Sequence, residues 1–175
     1  MKTKRVASLL ASLMLTGLCM TSCIGTSHIS KTSGLSQDYL NMIANNAEVI
    51  TVVKHNTSAD DLFEEVYGIL LDRGHRISKD DKERHYIATE GKDAGESTTQ
   101  RMIINISENI NKSELKIRTE WKSGTEAMMG ASMFADVGIN QEWTTAKWEA
   151  GRPGIAFGES VAIASAIKNG VVSYK

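Results

Sequence analysis

An alternation of apolar and charged residues between positions 102 and 122 constrains the fold more than any other feature of the sequence. Apolar residues, with one threonine, occupy every second position of two successive stretches: Met102, Ile104 and Ile106, then Leu115, Ile117, Thr119 and Trp121. The positions between them in the second stretch are charged: Glu114, Lys116, Arg118, Glu120 and Lys122. Because side chains along a strand point alternately to opposite faces, this pattern predicts an antiparallel hairpin that turns at 109–112 and buries one face. Another part of the chain must cover that face.

A helical pattern between residues 58 and 73 predicts the element that covers the buried face of this hairpin. Its apolar residues recur three and four positions apart: Ala59, Leu62, Phe63, Val66, Tyr67, Leu70 and Leu71. Thr57 or Ser58 can cap the start of this helix, where two aspartates complement the positive end of its dipole. Gly74 can end the helix in a left-handed conformation.

Shorter patterns complete the predicted element order. Strands are expected at 48–54, 75–79 and 83–89, with a turn at Asp80 and Asp81, a polar loop at 90–98, a break at 151–154 and a final helix at 157–167. Adjacent strands with segregated helices are typical of the α+β class. The sequence therefore predicts a two-layer sandwich, in which one principal helix packs on a mainly antiparallel sheet and a C-terminal helix is added.

The N-terminal residues have the pattern of a targeting segment. Lys2, Lys4 and Arg5 form a basic head, and an uncharged run over 6–18 follows. This run is shorter than the roughly 20 apolar residues of a membrane span. It is followed by a cysteine and small polar residues, which favours cleavage over anchoring by a helix.

The residues around the expected cleavage point, Met20-Thr21-Ser22-Cys23, resemble the lipobox of bacterial lipoproteins. Cys19 is the competing candidate, but Leu18 precedes it where that family has a small residue. The resemblance implies that Cys23 becomes the first mature residue and carries diacylglycerol on its sulfur and an acyl chain on its amine. More than one chain gives stable membrane attachment. An ordinary secretory signal that contains cysteines is the alternative.

The predicted domains are a lipoprotein signal peptide at 1–22, a flexible tether at 23–37 and a single α+β domain at 38–175. The tether is rich in Ser, Thr, Gly and Lys and lacks apolar periodicity. Removal of 1–22 leaves a net charge of about −4, which does not suggest a nucleic-acid partner. It also leaves no thiol besides Cys23, so the domain is expected to be stable without a disulfide.

The stretch 49–121 resembles the small helix-on-sheet domains of envelope lipoproteins, including the NlpB-type accessory lipoprotein of the outer-membrane barrel assembly machine. The similarity lies in a strand, a Ser/Thr-capped helix at 58–73, and a step from glycine into a strand at 74–78. It implies a small envelope domain with a helix lying on a sheet.

Candidates for chemistry are few. His75 and His85 are expected on one face of their hairpin, but no third ligand has a spacing that would complete a zinc site. Pairs of adjacent carboxylates occur at 60–61, 64–65 and 80–81, where solvated faces and turns explain them. The sequence thus gives no catalytic residue, metal ligand or cofactor.

A region rich in Met and Trp is the remaining candidate for an interface. Its members are Met128, Met129, Met133, Phe134, Trp143 and Trp148. Methionine surfaces adapt to varied apolar partners, and tryptophan is enriched at tight interfaces. The alternative is that these residues close one end of the core.

The expected function is that of a non-enzymatic binding or assembly module in the bacterial envelope. Lipid on Cys23 would hold it to a membrane, and its partner would be an envelope protein or a structural polymer. Ile24 is not the aspartate that signals inner-membrane retention in enterobacteria, so the outer membrane facing the periplasm is the expected location. A periplasmic hydrolase or carbohydrate-processing enzyme, with Trp143 or Trp148 as a sugar platform, and a carrier of small apolar ligands are the alternatives.

Overall fold

A computed structural model describes residues 29–31, 34–124 and 142–175. Its helices and strands, numbered along the chain, are α1 (Gln37–Asn41), β1 (Val49–His55), α2 (Ala59–Asp72), β2 (Ile77–Asp81), β3 (Tyr86–Thr89), β4 (Lys92–Gly95), β5 (Thr98–Asn109), β6 (Lys112–Ser123), β7 (Thr144–Thr145), α3 (Arg152–Ala166) and β8 (Val171–Tyr174). The α+β class, with a principal helix and a C-terminal helix against an antiparallel sheet, is confirmed.

The sheet is built around the predicted hairpin of β5 and β6. Ile104 pairs with Ile117 and Ile106 with Leu115, all on the buried face. In the described residues the sheet has the order β2-β3-β5-β6-β1-β8, with β4 added to β5 and β7 to β6. Both α2 and α3 contact the inner face of this sheet, and the outer face carries the charged positions of β6.

The start and the end of α2 follow the sequence signals. Of the two candidate caps, Ser58 is the one used: its hydroxyl accepts the backbone N–H of Asp61 at 3.1 Å. Gly74 has a φ of 74°, the left-handed value that ends a helix at low cost in glycine. The helix therefore begins and ends within one residue of the predicted bounds.

The hairpin of β2 and β3 is shifted from its prediction. Asp80 and Asp81 lie in β2 instead of forming the turn, and Asp80 is opposite Ile87. His85, with a φ of 49°, closes the turn instead. The polar loop predicted at 90–98 is also wrong, because β4 lies within it and pairs with β5.

The C-terminal helix begins earlier than predicted. The expected break at 151–154 is wrong, since Pro153 lies in the first turn of α3. Proline is well suited to that position, because the first N–H groups of a helix have no partner within the helix. Ser160, midway along α3, shares a hydrogen bond with Thr119 of β6, and both side chains are buried.

Residues near the start of the described chain also belong to the core. Ile29 is 3% exposed and packs with Leu35 against the hydrophobic cluster. A Cβ atom placed on Gly158 of α3 would lie 2.6 Å from Cγ2 of Ile29, so the Ile29 side chain packs directly on the backbone of α3. Ile29 and Leu35 come from the stretch predicted as a tether, and the packed domain therefore includes more than 38–175.

Candidate functional site

Glu159 of α3 accepts hydrogen bonds from three basic side chains. Arg73 donates to it twice, from Nε to Oε1 at 3.1 Å and from Nη2 to Oε2 at 2.9 Å. Nε2 of His75 and Nζ of Lys92 lie 3.1 and 3.4 Å from Oε1. Lys92 also donates to the backbone carbonyl of Arg73 at 2.6 Å. One carboxylate thus joins the end of α2, the linker after it, β4 and α3.

This cluster keeps Glu159 ionised. Burial alone would raise the pKa of the carboxyl group, but the hydrogen bonds from His75 and Arg73 and the charges of Arg73 and Lys92 outweigh burial. The pKa is therefore held far below its usual range. A carboxylate that stays charged through the neutral range neither takes up nor gives a proton there, which suits an anchor better than a general acid or base.

A half-open cleft of about 490 Å³ lies beside the cluster. Its walls are mostly charged or polar, and include Asp72, Arg73, Lys92, Asp93, Ile155 and Glu159. Five of the lining residues are charged, which favours a polar or charged ligand. No sequence pattern indicates this cleft, because its charged residues come from segments that are far apart in the chain.

The two histidines have separate partners. His75 is buried against Glu159, whereas Nε2 of His85 lies 3.1 Å from Oδ1 of Asp60 at the start of α2. The ring of His85 also makes an edge contact with Phe63. Among the described residues, no group of three or more His, Cys, Asp or Glu side chains is arranged to hold a metal ion.

The paired carboxylates on α2 have structural partners. Asp61 accepts a hydrogen bond from the hydroxyl of Ser58 at 2.7 Å. Glu64 pairs with Lys82 at 2.6 Å, and Glu65 pairs with Lys54 of β1. These contacts tie α2 to its neighbours and leave no convergent pair of free acids on the helix.

Gln100 of β5 is a buried polar residue that the sequence reasoning did not single out. Its side chain is fully buried, and neither amide atom has a hydrogen-bond partner in the described part of the chain. It lies opposite Lys92 on one side and Trp121 on the other. The alternation of Met102, Ile104 and Ile106, continued by one step toward the N-terminus, would have assigned Gln100 to the buried face.

Trp143 lies against the outer face of the sheet, where two cations contact its ring. The guanidinium carbon of Arg101 is 4.3 Å from the ring centroid, and Nζ of Lys122 is 4.9 Å from it. Both contacts are cation–π interactions. A Cβ atom on Gly91 would lie 3.3 Å from the indole, so the ring also rests on the backbone before β4. Arg101, Lys122 and Trp143 are called the tryptophan patch below.

The other residues proposed for an interface have different positions. Trp148 is 6% exposed and packs on Phe157 with ring centroids 6.1 Å apart, so it belongs to the core. Met128, Met129, Met133 and Phe134 lie outside the described residues, as does Cys23. Among the described residues proposed for an interface, Trp143 lies at the surface and Trp148 does not.

Comparison with protein-family models gives no match, and comparison with curated proteins gives no significant one. None of the helices in the described ranges is long and apolar enough to cross a membrane.

Proposed function

We propose that this protein is a bacterial envelope lipoprotein, anchored through lipid on Cys23 to the outer membrane and facing the periplasm. Its domain is a non-enzymatic binding or assembly module for an envelope protein or a structural polymer. A domain tethered beside a membrane has a raised effective concentration toward partners there, which suits a binding role.

The observation that carries the binding role is the tryptophan patch on the outer face of the sheet. Both helices contact the opposite face, and nearby outer-face positions such as Lys116 and Arg118 are exposed. Trp and Arg are the residue types most enriched where partners bind tightly. Here Trp143 is held in place by Arg101 and Lys122, so less side-chain entropy is lost on binding.

The geometry gives less support to the alternatives. Three carboxylates line the cleft, Asp72, Asp93 and Glu159, but the last of these is fixed as an anion by its basic partners. Of the two candidate sugar platforms, Trp148 is buried and Trp143 has cations against its ring. The cleft is half-open and has five charged side chains in its lining, which does not suit a carrier of small apolar ligands.

The lipid anchor is tested by Cys23→Ala in the full chain, with Cys19→Ala as its matched control. We expect the Cys23→Ala chain to remain an unprocessed precursor without palmitate, and the Cys19→Ala chain to be processed and labelled like the wild type. Normal palmitate labelling of the Cys23→Ala chain would overturn the anchor assignment.

The binding surface is tested by photo-crosslinking in the native envelope. A photoreactive residue at Thr145, which is exposed and two positions from Trp143, should give a discrete adduct. The same residue at Leu71, which is 50% exposed on α2, should give none. Trp143→Ala combined with the Thr145 probe should abolish the adduct. Adducts from Leu71 alone would place the interface on the helical layer and contradict the proposal.

A further inference from the structure

The two edges of the sheet differ in how they are protected. At one edge, β2 carries Lys79, Asp80 and Asp81, and its register with β3 shifts between Ile77 and Lys79. Charged residues and irregular register are typical features by which edge strands avoid pairing with other chains. This edge is therefore protected.

The other edge, β8, has neither feature. Its four residues are uncharged, and its register with β1 runs without interruption from Val171, opposite Val53, to Tyr174, opposite Ile50. Val171 is 61% exposed. An uncharged edge strand of regular register is open to pairing with another strand.

The hydrogen bonds beside β8 show which of its backbone groups are free. Lys175 donates to the carbonyl of Val49 at 3.0 Å and accepts from its N–H at 2.9 Å, so these two form a hydrogen-bonded pair. Since such pairs alternate along antiparallel strands, Val171 and Ser173 direct their backbone groups to β1, and Val172 and Tyr174 direct theirs outward. Among the described residues, no hydrogen bond to these outward groups is found.

We propose that β8 pairs with β8 of a second copy of this chain, antiparallel and about a two-fold axis at Ser173. In this register the outward N–H and C=O groups of Val172 meet those of Tyr174 in the second copy, and the reverse pair forms by symmetry. Four backbone hydrogen bonds result. The strand is thus complementary to itself without a shift or a bulge.

Side chains on the outer face fit the same arrangement. Ser173 meets Ser173 of the second copy, where its small size permits the close approach of a non-hydrogen-bonded pair. Val171 meets Lys175 of the second copy, so no like charges face each other and the lysine stem covers exposed apolar surface. This match in charge and size favours a second copy over an unrelated strand.

A cysteine pair tests the register in the native envelope. Ser173→Cys places two sulfurs across the axis, with Cα atoms about 4.5 Å apart, within the range of a disulfide. We expect a mild oxidant to convert most of this variant to a disulfide dimer. Val171→Cys is the matched control: it is on the same face, but its counterpart would be roughly 13 Å away, so it should give none. Wild-type protein, oxidised in parallel, should also give no disulfide dimer. This control shows whether a natural cysteine can form one.

Two further sets of variants complete the test: cysteines at two different positions in co-expressed chains, and a proline that removes one of the proposed hydrogen bonds. Val171→Cys co-expressed with Lys175→Cys should give a heterodimer, whereas each alone should not. Val172→Pro removes an outward N–H and keeps the bonds to β1, so it should lower Ser173→Cys dimer formation at least fivefold. Because Val172 also packs against the core, Val172→Ala is the matched control: it loses the same apolar contact, keeps the N–H and should still give the dimer. Absence of the Ser173→Cys dimer, or equal cross-linking by Val171→Cys alone, would overturn the proposed pairing. Neither result depends on the tryptophan patch. Failure of the strand pairing would therefore leave the proposed binding function untouched, and the photo-crosslinking experiment tests that function separately.

Discussion

At the residue scale, Glu159 shows how a single buried carboxylate can hold several elements together. Its side chain is 14% exposed and is bonded to Arg73, His75 and Lys92. An amide in its place would leave two cations partly buried without a counter-charge, and unpaired charges of that kind are costly. The stabilisation should therefore depend on the ionised form of this side chain.

Glu159→Gln is expected to lower the free energy of unfolding by about 1–3 kcal/mol at pH 7. Because the folded-state pKa of Glu159 lies below its unfolded value of 4.5, the stabilisation is fully present above about pH 5 and is lost as pH falls below that value. The difference between wild type and variant should thus shrink by up to about 1.4 kcal/mol per pH unit below about pH 4.5.

Urea unfolding across pH 3–7 measures this difference, with Glu64→Gln as the control. Glu64 pairs with Lys82, but both side chains are more than half exposed, so its loss should cost under about 0.5 kcal/mol. A pH-independent gap between wild type and Glu159→Gln would contradict the assigned role.

At the element scale, the packing of residues 29–31 on α3 depends on the absence of a side chain at Gly158. The close approach of Ile29 leaves no room for a methyl group there. In a helix, alanine is otherwise favoured over glycine by about 1 kcal/mol. Replacing Gly158 by alanine thus has two opposite effects on stability: the clash with Ile29 lowers it and the higher helix propensity raises it. Removing the Ile29 side chain should leave only the second effect.

Gly158→Ala should lower the free energy of unfolding by about 1 kcal/mol, because displacing Ile29 costs more than the helix propensity returns. In a chain that also carries Ile29→Gly, which removes every Ile29 atom within 3.4 Å of that position, the same substitution should raise it by about 1 kcal/mol. Gly68→Ala on α2, where a Cβ meets nothing within 4 Å, should stabilise in both backgrounds. Denaturant titration of the six chains checks the reversal of sign, and an equal effect of Gly158→Ala in both backgrounds would refute the contact.

Elements with a local signal could be predicted from the sequence, and those that depend on distant partners could not. The β5–β6 hairpin and the Ser58 cap of α2 follow from periodicity and capping chemistry within a few residues. Strand β4 has no β-branched residue and forms because β5 extends far enough to pair with it. The contact between Arg73 and Glu159 joins residues that are far apart in the chain, and no spacing rule indicates it.

At the scale of the whole molecule, the protection of backbone amides from hydrogen exchange should fall from the centre of the sheet to its edges. Strands β5, β6 and β1 have partners on both sides and supply the fully buried Ile50, Ile104 and Ile117. The edge strands are short and partly exposed. Local opening is therefore expected to begin at β2, and at β8 only in a chain that is not paired with a second copy.

Amide hydrogen exchange should give the slowest rates at Ile50, Ile104 and Ile117, and rates at least a hundredfold faster at Lys79 and Asp80 of β2. Exchange followed by NMR or mass spectrometry measures both sets in one sample. Equal protection at β2 and at the centre of β5 would show that the sheet opens only as a unit.

The position of β1 also constrains the order in which the chain can fold. It lies between β6 and β8, whose residues are translated long after it. A polypeptide emerging N-terminus first from a ribosome or a translocation pore therefore exposes Ile50 and Val52 without their final neighbours until residue 174 has cleared the exit. During that interval the exposed apolar residues make the nascent chain prone to aggregation unless a chaperone covers them.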